Sequence, residues 1–267
     1  GPAMIRAAAK NFKYVATLVD IQDYEGLVNE LKMNNGCTSY SFRQKLSQNA
    51  FSLSAYYDAM VSNWMLDNIT GVKPRRFSIS AELSQDLRYG ENPHQSASFF
   101  LDEYFQGGIG ASNQIQGKKL SYNNINDTDA ALELVNEFPQ NDGAAAVIVK
   151  HANPCGVGVA NSLVEAYRSA FSCDKTSAFG GIVALNRIID EESAREIIKV
   201  FTEVVIAPDI TEGARKIFSS KSNLRLLITK KSPVQACSSK VIKHIAGGYL
   251  LQDKDIGPLS QNNLRVV

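Results

Sequence analysis

The chain has 267 residues, 44% of them hydrophobic and 21% charged, enough apolar material for one large core or two ordinary ones. Lys plus Arg number 28 against 27 Asp plus Glu, and a net charge of +1 argues against a nucleic-acid footprint or a polybasic membrane surface. No apolar run approaches a membrane span, and Arg6 and Lys10 interrupt any signal-like stretch at the start. The four cysteines, Cys37, Cys155, Cys173 and Cys237, are far apart and form no CxxC pair, which fits reduced thiols in a cytoplasmic protein.

"GPAMIRAAAKN" predicts a helix, its proline suited to a first turn. "YVATLVD", residues 14–20, reads as a short buried strand. "QDYEGLVNELKMNNG" follows as an amphipathic helix with Tyr24, Leu27, Leu31 and Met33 near a 3.6 period and Asn34-Asn35-Gly36 as its stop. "SYSFRQKLSQNAFSLSAYYDAMVSNWMLDN" continues as helix, with Phe51, Ala55, Tyr56, Ala59 and Met60 on one face. This first region reads as the tail of an α/β unit. Residues 69–77, "ITGVKPRRF", lack periodicity and read as a linker.

A second α/β region follows. "SASFFLD" is a strand, and "NNINDTDAALELVNEF" is a helix capped by Asp127 or Thr128, with Ala131, Leu134, Val135 and Phe138 on its apolar stripe. "AAAVIVK", residues 144–150, is continuously apolar and reads as a strand buried on both faces. After a loop, "NSLVEAYRSAF" opens on a Ser162/Glu165 capping box, with Leu163, Ala166, Tyr167 and Ala170 facing the core. "GGIVAL", "EVVIAP" and "NLRLLIT" are strands and "DEESAREIIKVF" a helix. The alternation predicts a mostly parallel sheet with packed helices.

Three clusters carry candidate chemistry. In "VIVKHANPCGVG" a strand delivers Lys150 and His151 to its carboxyl end, where open α/β sheets bind ligands, and "TSAFGG" is expected at a neighbouring such end. There His151 would serve as a proton acceptor and Lys150 as a cation holding developing negative charge. A polar turn is the plain alternative. A zinc-deaminase site would need Glu at position 153, which is Asn, and a second Cys after Cys155, which is missing. In "LRYGENPHQSA", Arg88 suits a phosphate or carboxylate and Tyr89 can stack, although a polar turn before a strand has the same composition. In "GKKLSYNNINDTDAA", Asn123 and Asn124 either cap the following helix or read a polar ligand at its positive end.

Read in order, "LRYGENPHQ", "GKKLSYNNINDTDAA", "VKHANPCGVG", "TSAFGGIVALN", "VVIAP" and "LLQDKDIG" resemble the AICAR transformylase part of the bifunctional AICAR transformylase/IMP cyclohydrolase family. "GPAMIRAAAKN" resembles the closing part of that family's cyclohydrolase domain. The resemblance implies de novo purine biosynthesis: formyl transfer from 10-formyltetrahydrofolate, the cosubstrate, to the 5-amino group of AICAR, and cyclisation of the product to IMP. It implies no metal and a homodimer with the transformylase site between subunits. Carried over by motif, His151 is the general base, Lys150 the transition-state cation and Lys10 the acid/base lysine of the cyclohydrolase. Arg88, Tyr89, Asn124, Gly180 and Glu203 match AICAR contacts. Bottom-up, Glu203 would otherwise be a solvent-facing residue at a strand start.

The expected folds are a partial methylglyoxal-synthase-like domain with linker over 1–76 and the first part of a cytidine-deaminase-like transformylase domain over 77–267. By the same resemblance the chain starts partway through the cyclohydrolase domain and stops within the transformylase domain, with the folate contacts expected beyond Val267. Taken alone it is expected to hold an incomplete site, the alternative being a fragment that binds AICAR without turnover.

Overall fold

The structure, a computed structural model, describes residues 1–69, 74–102, 107–229, 240–255 and 257. The middle of the expected linker, Cys237, Ile256 of the "LLQDKDIG" motif and the closing "LRVV" lie outside them. The chain forms two compact units, Gly1–Glu82 and Leu83–Val267.

The first unit holds α1 (Pro2–Lys10), α2 (Asp23–Met33) and α3 (Tyr40–Asp67). Pro2 lies in the first turn of α1, where its missing N–H costs nothing. Asn35 and Gly36 stop α2 by turning left-handed, at φ 53° and 83°. The Ser39 hydroxyl caps α3 by accepting the Phe42 N–H at 3.2 Å. The face that α3 buries differs from the expected one. Leu46, Ser47, Ala50, Ser54 and Ala59 are buried, whereas Ala55 is exposed and Phe51, Tyr56 and Met60 are only partly covered. Small side chains let α1 approach closely, and Ser47 Oγ donates to the buried Ala9 carbonyl at 2.7 Å.

Residues 14–20 are not a strand. A strand needs a neighbour for its N–H and C=O groups, and among the described residues before Glu82 none is a strand. The turn just before it is held from outside: the Arg43 guanidinium donates to the carbonyls of Phe12 at 3.0 Å and Lys13 at 2.9 Å.

The second unit comprises, in order, β1 (Glu82–Leu87), β2 (Ala97–Leu101), β3 (Asn113–Gln116), α4 (Tyr122–Asn136), β4 (Ala144–Lys150), β5 (Asn153–Ala160), α5 (Leu163–Cys173), α6 (Lys175–Ala178), β6 (Ile182–Leu185), α7 (Glu191–Ile197), β7 (Val204–Ala207), α8 (Glu212–Phe218), β8 (Arg225–Ile228), β9 (Lys240–Ile245) and β10 (Gly248–Asp253). Strands β1 and β2 pair with each other, as do β9 and β10, while six strands form the main sheet in the order β3-β8-β7-β6-β4-β5. The expected α/β class holds, and β5, β6, β7 and β8 point the same way. The ladders add a detail: β6-β7 and β7-β8 are parallel, but β4 is antiparallel to both β5 and β6, and β3 to β8.

Side chains alternate across this sheet, and the two faces bury separate cores. Ala144, Ala146 and Ile148 of β4 face α5, α7 and α8 in one core. Ala145, Val147 and Val149 face Ala131, Leu132 and Val135 of α4 in the other. The result is three layers, helices on both faces of a sheet. Asn186, 6% exposed, closes the end of β4: its Oδ1 accepts the Ala145 N–H at 2.7 Å and its Nδ2 donates to the Phe138 and Gly143 carbonyls.

Residues 153–160, expected as a loop, form the edge strand β5. Pro154 and two glycines hide it from a propensity reading, since Pro is tolerated only at edges and bulges. The ladder is irregular between Ile148 and Val149, opposite Pro154 to Gly156, which makes that room. The glycines serve packing: a Cβ on Gly156 would lie 2.0 Å from the Ala170 carbonyl oxygen of α5, and one on Gly158 2.2 Å from that of Ala166. Among the described residues, no helix is long and apolar enough to cross a membrane.

Candidate functional site

The connection between β4 and β5 is only two residues, His151 and Ala152, with φ of 53° and 55°. Two positive φ values in a two-residue hairpin loop fit a type I′ turn, a shape that normally selects Asn-Gly. For residues with a Cβ the left-handed conformation costs about 1–2 kcal/mol each. Hydrogen bonds offset part of that cost. The Asp127 carboxylate accepts both turn amides, from His151 at 3.1 Å and from Ala152 at 2.9 Å, and Asn153 Nδ2 donates to the His151 carbonyl at 2.7 Å. His151 is exposed at the tip of the β4-β5 hairpin.

Asp127 is therefore not the cap of α4, and neither is Thr128. The helix begins five residues before Asp127, at Tyr122, behind a reciprocal capping box at Ser121. Ser121 Oγ accepts the Asn124 N–H at 3.1 Å, and Asn124 Oδ1 accepts the Ser121 N–H at 3.2 Å. The rest of the Asn124 amide points elsewhere: Nδ2 donates to Glu203 Oε2 at 2.9 Å. Arg225 pairs with the same carboxylate oxygen at 3.3 Å. The Ser162 cap on α5 forms as expected, with its hydroxyl also donating to Glu165 at 2.9 Å.

Lys150 Nζ donates to the Phe179 carbonyl at 2.8 Å, leaving two of its three donors for other partners. The next residue, Gly180, is left-handed at φ 74° and donates its N–H to the Phe201 carbonyl at 2.7 Å. The Glu203 N–H is bonded to the Gly181 carbonyl at 3.1 Å. Two further groups nearby are shifted. Hydrogen bonds from the Ser177 hydroxyl and N–H hold the exposed Asp174 carboxyl below its usual range, with the Lys150 ammonium a lesser cause. Burial pushes the Cys155 thiol up, the Asp174 carboxylate adds to this, and Lys150 opposes it.

Lys150, His151, Asn124, Gly180 and Glu203 thus meet along one edge of the sheet. The edge is not the one expected throughout. Lys150 and His151 do lie at the carboxyl end of β4, but "TSAFGG" and Glu203 precede β6 and β7 and so lie at amino ends. Because β4 runs antiparallel to β6, with Val149 opposite Ile182, its carboxyl end falls beside their amino ends.

Other expected residues make contacts of their own. Arg88 lies over the Tyr89 ring at 5.6 Å, beside a turn in which the Gly90 N–H meets the Gln95 carbonyl at 2.9 Å. Among the described residues no hydrogen bond joins either to the Lys150 group, although Asn123 Nδ2 reaches the Glu91 carbonyl at 3.4 Å. Lys10 is exposed in the last turn of α1, in the first unit. A cavity of about 800 Å³ lined by Leu87, Leu101, Ile109, Tyr122, Ile125 and Asp129 does not include Lys150 or His151. Sequence reasoning gave no site role to Asp127 and Arg225. Asp127 stands three residues after Asn124, on the same side of α4, and that spacing was the available signal.

Fold and site together define a three-layer α/β protein that presents a Lys-His pair, an amide and a carboxylate at one edge of a mixed sheet. The chain belongs to the AICARFT/IMPCHase bienzyme family, whose model matches residues 8–267. It is 54% identical over 267 residues to the bifunctional purine biosynthesis proteins PurH of Dinoroseobacter shibae and Ruegeria pomeroyi, and 53% identical to that of Paracoccus denitrificans. Each match takes in the whole of this chain and 50% of the relative. The chain spans about half the length of the curated relatives it matches.

Proposed function

We propose that this chain serves de novo purine biosynthesis, as part of an enzyme that transfers a formyl group from a folate donor to AICAR and cyclises the product to IMP. One observation carries the reading: Lys150, His151, Asn124, Gly180 and Glu203, scattered through 80 residues of sequence, converge on one sheet edge in a chain of this family. The relatives' name as bifunctional purine biosynthesis proteins and the motif order support it.

In this scheme the 5-amino nitrogen of AICAR bonds to the formyl carbon as the bond from that carbon to N10 of 10-formyltetrahydrofolate breaks. His151 takes the proton that the amine sheds and returns it to N10, which leaves as the N–H of tetrahydrofolate. The amine is a weak nucleophile because its lone pair is delocalised into the imidazole ring, so removal of its proton is where a base contributes most. Lys150, anchored by the Phe179 carbonyl, supplies a fixed cation to the oxygen that gathers charge. Asn124 and Glu203 would read polar groups of AICAR, Gly180 would let the ligand approach the backbone, and Arg88 with Tyr89 would serve its phosphate end. Lys10 would act in the cyclohydrolase. We assign residues 1–76 to the end of the cyclohydrolase domain and linker, and 77–267 to the start of the transformylase domain. A homodimer working in the cytoplasm completes the proposal.

The test is His151→Ala in the full-length enzyme. Formyl transfer, followed by release of tetrahydrofolate, should drop about 10²- to 10⁴-fold while cyclisation of the formylated nucleotide continues. Transfer that survives this change refutes the assignment of the base.

A further inference from the structure

His151 owes its direction to a backbone shape that its own sequence disfavours. Neither His151 nor Ala152 is a glycine, yet both sit at positive φ, where alternative turns with negative φ are open to the free chain. In such a turn the imidazole would leave from a different point and in a different direction. The side chain that holds the observed turn comes from another element. Asp127 of α4 places one oxygen on each turn amide, Oδ2 on His151 at 3.1 Å and Oδ1 on Ala152 at 2.9 Å, a two-pronged grip on consecutive N–H groups. Asn126 Nδ2 reaches Oδ1 at the edge of bonding distance, 3.4 Å.

The same helix fixes a second member of the group. Asn124, three residues earlier, is locked by the capping box and holds Glu203. The first turns of α4 therefore act as a ruler between the His151 turn and the Glu203 carboxylate. The buried stripe Thr128, Ala131 and Val135 keeps that ruler against the sheet.

We propose that Asp127 is a positioning residue for the transfer reaction: it sets the left-handed His151-Ala152 turn and so the direction of the His151 imidazole. The inference rests on the function proposed above. It concerns the direction of the imidazole, and Asp127 itself touches no reacting atom.

Three variants of the full-length enzyme test it: Asp127→Ala, Asp127→Ala with Ala152→Gly, and His151→Ala. Misdirecting a base should lower kcat for transfer about 10- to 100-fold in Asp127→Ala, with the AICAR KM moving less than about threefold and cyclohydrolase unchanged. Glycine at 152 accepts positive φ without penalty, so the double variant should regain at least about fivefold of the lost kcat. Hydrogen–deuterium exchange over residues 147–156 supplies a readout independent of activity: faster in Asp127→Ala, slower again in the double variant. Unchanged transfer in Asp127→Ala beside loss in His151→Ala overturns the inference and leaves the function standing. Loss of kcat with no recovery from Ala152→Gly also overturns it, since a general structural defect would not be repaired by one turn residue. Survival of transfer in His151→Ala refutes the assignment of the base instead, and the exchange data alone then decide whether Asp127 holds the turn.

Discussion

Gly158→Ala isolates the packing that keeps the hairpin rigid. Gly158 lies two residues beyond Gly156, on the same face of β5, and α5 rests on that face. An added Cβ would stand 2.2 Å from the Ala166 carbonyl oxygen, 2.8 Å from the Ala170 nitrogen and 2.9 Å from Ser169 Cβ. Ordinary contact begins at 3.4 Å, and two of the three obstacles are helix backbone, which has no rotamer to change. The helix itself must move by roughly 1 Å. Leu163, Ala166, Tyr167 and Ala170 would all lose contact with the sheet together, and a gap of that size forfeits about a quarter to a half of each dispersion well.

Overpacking of this kind costs about 1–3 kcal/mol, and the backbone obstacle puts Gly158→Ala at the upper end, about 3 kcal/mol. For a unit of this size that corresponds to a fall in Tm of about 9 °C. The assay is urea unfolding followed by far-ultraviolet circular dichroism, with Gly180→Ala as control. Gly180 is left-handed, but its added Cβ meets only the Phe201 ring at an ordinary 3.5 Å, so that variant should lose only about 1 kcal/mol. If Gly158→Ala unfolds within 1 kcal/mol of the unmodified chain, α5 is not seated on β5 as described, and the account of the glycines fails.

Two further outcomes follow from buried polar groups. Burial, and secondarily Glu196, pushes the Tyr167 hydroxyl up to about 12. A folded value above the ordinary 10 means the folded state keeps a proton that the unfolded chain releases. Stability should then be intact below pH 10 and fall by about 3 kcal/mol between pH 10 and 12, and Tyr167→Phe should remove that part of the slope in alkaline unfolding curves. An identical slope in both proteins would count against the buried hydroxyl. Asn186→Ala strands the Ala145 N–H and takes a donor from each of two carbonyls, which should cost about 3 kcal/mol in the same urea assay. A loss under 1 kcal/mol would mean that water replaces the amide there.

What the sequence made legible was whatever burial pattern alone decides. Residues 144–150 announce β4 because all but the last are apolar, and the stripe of α5 is readable for the same reason. Segments whose state depends on a partner were misread. Val15–Val19 has strand composition and no neighbour to pair with among the described residues of its unit, whereas Asn153–Ala160 has turn composition and both a neighbour and a helix that needs its glycines. Local propensity cannot weigh a contact whose other half lies elsewhere in the chain.

The site was legible in the same divided way. Lys150 and His151 were visible as polar residues ending an apolar strand, and Asn124 as a residue at a helix start. Their meeting depends on strand direction, which hydrophobic pattern does not encode: a β4 parallel to β6 would carry Lys150 to the opposite edge, away from Gly180 and Glu203. The two-residue turn at His151 enforces the antiparallel pairing of β4 with β5, because so short a link can join only antiparallel neighbours, and it leaves the direction against β6 to the rest of the sheet. Asp127 looked like a cap because Asp near a helix start usually is one, and its real partners lie 24 and 25 residues further along the chain. The turn that places His151 is thus also the element that orients β4 and β5, so the shape of two residues bears on both the sheet and the site.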